Sequence, residues 1–287
     1  MAMRGVVNSV RSILLSWLVG STAALAPAAD AAAPPAVAAA SWLVVDGESG
    51  RVLAEHNADE RRDPASLTKL MTAYVVMEAL KRGALSLDEA VTVSAADVGG
   101  VAGDEARMYL QAGQRAKVGD LLRGLIVASA NDAALVLANR VGTNGPGFAR
   151  LMNDSAFRLG MKNSHFVTSS GVTTPNHYTT ARDLSQLALK LTADFPEYYA
   201  LSSQQSFSYG GFSKKNKNSL LAFDSSVDGL KTGHTQAAGW CIVATAKRKL
   251  ADSRVPRRAF VVVLGAPSDK QRISFAQQLL EYAFRQM

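Results

Sequence analysis

One cysteine, Cys241, is present in 287 residues, so no intramolecular disulfide can brace the fold. It sits in the apolar run Trp240 to Ala244 and reads as a small core residue. Histidine is scarce too. His56 lies in a polar turn, His165 beside Phe166, His177 before Tyr178, and His234 near the last strands. No two share the helical spacing of a zinc site, so a metallopeptidase finds no support, and neither a metal nor a cofactor is expected. No apolar run reaches the ~20 residues of a membrane span. The one stretch of that character, Ile13 to Leu25, follows Arg4 and Arg11 and leads into small-residue sites ending at Ala26 and Ala31. That order describes a cleavable secretory signal over residues 1–31, with residues 32–40, rich in Ala and Pro, as a flexible mature N-terminus. No internal repeat is present.

The remaining chain, 41–287, is long enough for one large domain, and a 48% hydrophobic composition can fill its core. The net charge of +7 suits an anionic cell envelope or plain solubility equally, and no nucleic-acid partner is expected. Trp42 to Asp46 and Arg51 to Glu55, joined through Gly47 and Gly50, read as a β-hairpin. Helical patterns follow Asp63, Gly119, Asp132, Gly147 and Thr180. Strands return at Gly239 to Ala246 and Arg258 to Leu264. A last amphipathic helix, Gln271 to Met287, carries Ile273, Ala276, Leu280, Ala283 and Phe284 on one face and reads as packed on the terminal sheet. Strands at both ends with helices between them imply an α+β domain in which a helical insertion interrupts a sheet.

The stretch Ser66-Leu67-Thr68-Lys69 opens the most apolar of these helices. Asp63 suits an N-cap, Pro64 the first helical position, and Gly83 a left-handed C-cap. Leu67, Leu70, Met71, Tyr74, Val75, Met77 and Leu80 cover most of the circumference, which buries the helix. A serine and a lysine three apart share one face. Burial lowers the pKa of a lysine, and such an amine can take a proton from a hydroxyl. Taken alone, the four residues fit a polar first turn and a lysine that reaches for water more readily than a catalytic pair.

Two later stretches weigh the other way. Ser129-Ala130-Asn131 interrupts two helical patterns, and Lys231-Thr232-Gly233-His234 precedes a strand. Serine-x-x-lysine, serine-x-asparagine and lysine-threonine-glycine, in that order, resemble the penicillin-recognising serine acyltransferases. Within them, Pro64 to Thr72, Ser129 to Ala133 and Val227 to Thr235 are similar to the D-alanyl-D-alanine carboxypeptidases, the low-molecular-mass penicillin-binding proteins. Arg107-Met108-Tyr109-Leu110 and His177-Tyr178-Thr179-Thr180 fit as well.

The resemblance implies a β-lactamase/transpeptidase-like fold: a five-stranded antiparallel sheet built from both chain ends, flanked by helices, with an all-helical insertion. It implies Ser66 as nucleophile, Lys69 as its general base and Ser129 as a proton relay to the leaving nitrogen. Asn131 would offer its amide to the substrate backbone, and Lys231 and Thr232 would meet the terminal carboxylate. Gly233 would leave room for an extended peptide, and the amides of Ser66 and His234 would bind the oxyanion. The implied partners are a peptidoglycan stem peptide ending in D-Ala-D-Ala and β-lactams as covalent inhibitors. The implied setting is the periplasm or an extracellular wall compartment. Many such proteins add a β-rich C-terminal domain and an amphipathic anchor; the sequence stops before either, so no stable membrane anchor is expected.

Other readings are a D,D-endopeptidase acting on crosslinks, a class A β-lactamase, for which no deacylating glutamate is evident, and a silent β-lactam-binding or wall-binding module. Three features depart from the family pattern. Lys217 stands between Asn216 and Asn218 where an arginine is usual, and as a point charge it cannot grip a carboxylate bidentately. Val172-Thr173-Thr174-Pro175 follows Gly171 where Leu-Asp is common. Lys247, Arg248, Lys249, Arg254, Arg257 and Arg258 crowd one hairpin, read as a solvated loop.

Overall fold

The computed structural model describes residues 1–2 and 33–287, so the signal expected at residues 1–31 lies outside the described residues, save its first two. The first hairpin is β1 (Ser41–Asp46) and β2 (Val52–His56), followed by α1 (Thr68–Lys81). A mainly helical body comes next: β3 (Ala90–Thr92), α2 (Ala95–Gly99), β4 (Arg115–Lys117), α3 (Val118–Arg123), α4 (Asn131–Gly142), α5 (Gly145–Arg158), α6 (Ala181–Asp194) and α7 (Tyr198–Ser202). A short hairpin, β5 (Ser206–Tyr209) and β6 (Phe212–Lys215), and α8 (Leu220–Phe223) lead to β7 (Val227–Thr235), β8 (Gly239–Arg248), β9 (Arg257–Ala266) and α9 (Asp269–Arg285). The main sheet has the order β2-β1-β9-β8-β7, antiparallel throughout. The body inserted between its two halves also carries the small pairs β3–β4 and β5–β6.

Successive residues of the central strands point to opposite faces, and both faces are covered. Leu43, Val243, Val262 and Leu264 face the helical body, while Val44, Ile242, Val261 and Val263 face α9. This double burial explains why β8 and β9 read as continuous apolar runs rather than alternating ones. The last helix packs on the sheet as its pattern suggested, through Phe275, Ala276, Leu279, Leu280 and Ala283. Val37 and Ala39, ahead of the first strand, pack on that same cluster. Among the described residues, no helix is long and apolar enough to cross a membrane.

Helix α1 is buried on nearly all sides, and Gly83 takes the left-handed conformation after it (φ 70°). Its entry differs from the expected Asp63 cap. The chain passes through a 3-10 turn, Ala65–Leu67, with no side-chain cap and with Ala65 at φ 47°. Strand β7 crowds this entry: a Cβ on Gly233 would meet the amide nitrogens of Ser66 and Leu67 at 3.1 Å.

The basic hairpin is less free than a solvated loop. Arg248 pairs with Asp224 at 2.6 Å and Glu281 at 2.7 Å, and Arg257 with Asp46 at 2.7 Å. Arg258 grips Asp228 through both nitrogens, at 2.7 and 2.8 Å, and lies over the Tyr199 ring. These arginines continue β8 and β9 as strands and tie the sheet to its neighbours.

Leu279 is fully buried between α9 and the sheet. Leu279→Ala is expected to destabilise the protein by ~2–5 kcal/mol in urea unfolding. An unchanged midpoint would mean that this face of α9 does not pack on the sheet in solution.

Candidate active site

Three separate pieces of chain meet at the end of β7. The turn before α1 brings Ser66 and the first turn of α1 Lys69, the break before α4 brings Ser129 and the start of α4 Asn131, and β7 brings Lys231, Thr232, Gly233 and His234. Ser66, Ser129, Asn131, Thr232, Gly233 and His234 line a cleft of about 700 Å³ whose walls also include Glu105, Ser170, Lys217, Trp240, Asp269 and Arg272. A larger and more apolar groove of about 1190 Å³, walled by Met77, Leu85, Leu122 and Phe195, holds none of these groups.

Lys69 has no exposed surface. Its Nζ donates to Ser66 Oγ at 2.9 Å and to the Ser170 carbonyl at 2.7 Å. Burial, and then repulsion from Lys217, lower its pKa to about 7 against the opposing pull of Glu105 and Asp132. A neutral amine is therefore accessible against the serine hydroxyl near neutral pH. Gly171 makes this contact possible. Its φ of 83° turns the chain so that Ser170 offers its carbonyl, and a Cβ there would stand 1.9 Å from the Ala65 carbonyl. The unusual segment after Gly171 finds its own anchor, because Thr173 Oγ1 donates to Thr235 Oγ1 at the end of β7 (3.1 Å).

Ser129 stands at φ 60° in the left-handed region, where a residue other than glycine is strained. A π-helical turn, Gly124–Ala128, precedes it, and α4 starts two residues later. This posture points Ser129 at Lys231, whose Nζ donates to Ser129 Oγ at 2.9 Å and to the Thr232 carbonyl at 2.8 Å. Lys231 is held well below its ordinary pKa by burial and then by Lys69, Lys217 and Arg272. Thr232 is buried at the cleft wall, and Gly233 permits the close approach of β7 to Ser66. His234 stacks on Trp240 with ring centroids 3.8 Å apart, and Arg272 lies over the same indole at 5.1 Å.

Lys217 lines the cleft as expected, with part of its side chain in solvent. Partial burial, then Lys214 and Arg272, draw its pKa down. Asn131 is in place, but its Nδ2 donates to Glu105 Oε2 instead of standing free. His177 is structural. Its Nδ1 accepts from the amides of Val167 (3.1 Å) and Thr168 (3.2 Å), so Nε2 carries the proton and donates to Thr68 Oγ1 at 2.9 Å. Burial lowers its pKa to about 4, which keeps it neutral.

Of the residues expected at the site, Ser66, Ser129, Asn131, Lys217, Thr232, Gly233 and His234 line the cleft, and the buried Lys69 and Lys231 reach it through Ser66 and Ser129. Four contributors did not stand out in the sequence: the Ser170 carbonyl, Glu105, Trp240 and Arg272. A backbone carbonyl leaves no side-chain signal. Arg272 belongs to a helix whose pattern announced only packing, yet its Nη1 donates to the carbonyl of Gly233 at 3.1 Å. Among the described residues, no three carboxylate, imidazole or thiol groups converge as metal ligands. The arrangement is suited to proton transfer from a hydroxyl to a neutral amine, with a second amine–hydroxyl pair across the cleft.

Comparison with known proteins agrees in sequence and in shape. The model of a family described as D-alanyl-D-alanine carboxypeptidase matches residues 28–268. The D-alanyl-D-alanine carboxypeptidase DacC of Escherichia coli is 40% identical over 256 residues, which is 88% of this chain and 62% of that protein. The chain therefore spans less than two thirds of the length of that relative. Penicillin binding protein 5 from Haemophilus influenzae superposes with a TM-score of 0.84 at 37% identity, over 88% of this chain and 73% of the other. Penicillin-binding protein D2 from Listeria monocytogenes, solved with ampicillin bound, gives 0.77 at 33% identity, over 88% of this chain and all of the other.

A ¹³C-lysine NMR titration is expected to show one resonance, assigned to Lys69, that titrates near 7. Lys217→Ala should move it upward, because a repelling cation is removed. Titration near the ordinary lysine value of about 10.4 would contradict the geometry described.

Proposed function

Because the chain belongs to the D-alanyl-D-alanine carboxypeptidase family, we propose that it is a serine peptidase that removes the terminal D-alanine from peptidoglycan stem peptides through an acyl-enzyme. The observation that carries this reading is the 2.9 Å contact between Lys69 Nζ and Ser66 Oγ, buried in a cleft that also holds the Lys231–Ser129 pair.

In the proposed reaction Ser66 Oγ attacks the carbonyl carbon of the penultimate D-alanine and its proton passes to neutral Lys69. The oxyanion that forms is met by the backbone N–H groups of Ser66 and His234, at the point where Gly233 lets β7 approach the turn before α1. Lys231, hydrogen-bonded to Ser129, supplies a proton through that hydroxyl to the departing nitrogen. The carbon–nitrogen bond then breaks and D-alanine leaves. Water attacks the seryl ester in the second half: Lys69, having given up its first proton to replace the one Lys231 lost, takes the proton of the water and returns it to Ser66 Oγ as the ester carbon–oxygen bond breaks. Thr232 and Lys217 hold the terminal carboxylate, and the substrate backbone lies extended along β7 beside Asn131. Two amines serve here where other serine enzymes use histidine, because repulsion and burial keep both low in pKa. A β-lactam presents the same kind of amide and carboxylate and would leave a stable ester on Ser66.

Export belongs to the same reading. Residues 1–31 would direct the chain out of the cytoplasm, to the periplasm or wall compartment where such peptides occur, and 41–287 would act there.

Incubation with a D-Ala-D-Ala-ended peptide should release D-alanine, and labelled penicillin should add one mass increment to the peptide containing Ser66. Ser66→Ala is expected to abolish both. Label retained by the Ser66→Ala protein, or no D-alanine from wild type, would refute the assignment.

A further inference from the structure

Glu105 reaches the cleft from the loop between α2 and β4. Its carboxylate is held at both oxygens: Oε1 accepts from the Ala102 amide at 3.3 Å, and Oε2 accepts from Asn131 Nδ2. The neighbouring chain is clamped on the start of α4. The Asn131 amide donates to the Ala106 carbonyl at 2.7 Å, and the buried Asp132 carboxylate accepts from the amides of Met108 and Leu110, at 3.1 Å each. Glu105 is therefore not a passing surface charge.

An ionised carboxylate only accepts hydrogen bonds, so the edge of the Asn131 side chain that faces it must be the NH₂. The opposite edge, Oδ1, is left buried with no partner among the described residues. An asparagine without such a neighbour could present either edge. Here the charge on Glu105 decides, and one N–H of the Asn131 amide is committed to it.

We propose that Glu105 is a positioning residue for the reaction: its carboxylate sets which way the Asn131 amide faces and forms the negative wall of the cleft that holds Ser66 and Lys69. The inference rests on the acyl-transfer reading above. Glu105 also acts on Lys69 through space, since its charge favours the ammonium form of that lysine while Lys217 opposes it. The other charged groups around Lys69 are Asp132 at the start of α4, Lys231 on β7, and Asp104, His234, Asp269 and Arg272 in the cleft walls. None of these changes in the variants below.

Glu105→Gln keeps the shape and removes the charge, whereas Glu105→Asp keeps the charge and shortens the reach. Measured as kcat/KM for a D-Ala-D-Ala peptide from pH 5 to 10, Glu105→Gln is expected to lose roughly tenfold at its optimum, because glutamine can pair with either edge of Asn131. Its acid limb should also move to lower pH: the charge that raised the proton affinity of Lys69 is gone, so the neutral amine persists into more acidic solution. Glu105→Asp should lose activity while keeping the wild-type acid limb. The rate of acylation by labelled penicillin, followed over the same range, should show the same displaced and undisplaced limbs. Glu105→Gln within about twofold of wild type with its limb in place, or a limb that shifts equally in both variants, would overturn the proposal. A wild-type chain that neither cleaves the peptide nor reacts with penicillin would overturn this inference and the functional reading together.

Discussion

Two lysine side chains are buried in one cleft, and among the described residues neither makes an ion pair. Removing an ammonium from water without a carboxylate in contact is costly, and a second one nearby makes it costlier. The molecule answers by lowering their proton affinity and giving each amine a hydroxyl and a carbonyl: Ser66 and the Ser170 carbonyl for Lys69, Ser129 and the Thr232 carbonyl for Lys231. Glu105 and Asp132 act only from a distance on Lys69, which is why it stays near 7 instead of returning to an ordinary value.

The fold explains how such a site can be held. The sheet closes only when β7, β8 and β9 from late in the chain join β1 and β2 from its start, and the inserted body places α1 and α4 against the end of β7. Close approach is then settled by two glycines. Gly233 admits the turn that carries Ser66, and Gly171 turns the Ser170 carbonyl toward Lys69. Two of the non-glycine residues with positive φ, Ala65 and Ser129, stand at the cleft's serines.

Much of this could be read from residues alone, because the relevant signals are local. A serine and a lysine three apart on an apolar helix, a polar break between helices, Gly83 at a helix end and a terminal amphipathic helix are each written within a few positions. What escaped the sequence depends on residues distant in the chain. Glu105 lies twenty-six positions before its partner Asn131. Arg272 meets Gly233 across thirty-nine. The Asp63 cap does not form, and the chain enters α1 through a 3-10 turn that lies against Gly233 of a strand more than 160 residues later. The hairpin cations, similarly, looked free only because Asp46, Asp224 and Asp228 are remote or on other elements.

The central claim is that a neutral Lys69, made available by burial and like-charge repulsion, is the base that activates Ser66. The pH dependence of the pre-steady-state rate of Ser66 acylation tests it most directly, since this single step precedes hydrolysis and product release. The account predicts a rate that rises through one ionisation near pH 7 and then levels, as the ammonium form gives way to the amine. A rate that is flat across that range, or that rises only near the ordinary lysine value of about 10.4, would contradict it.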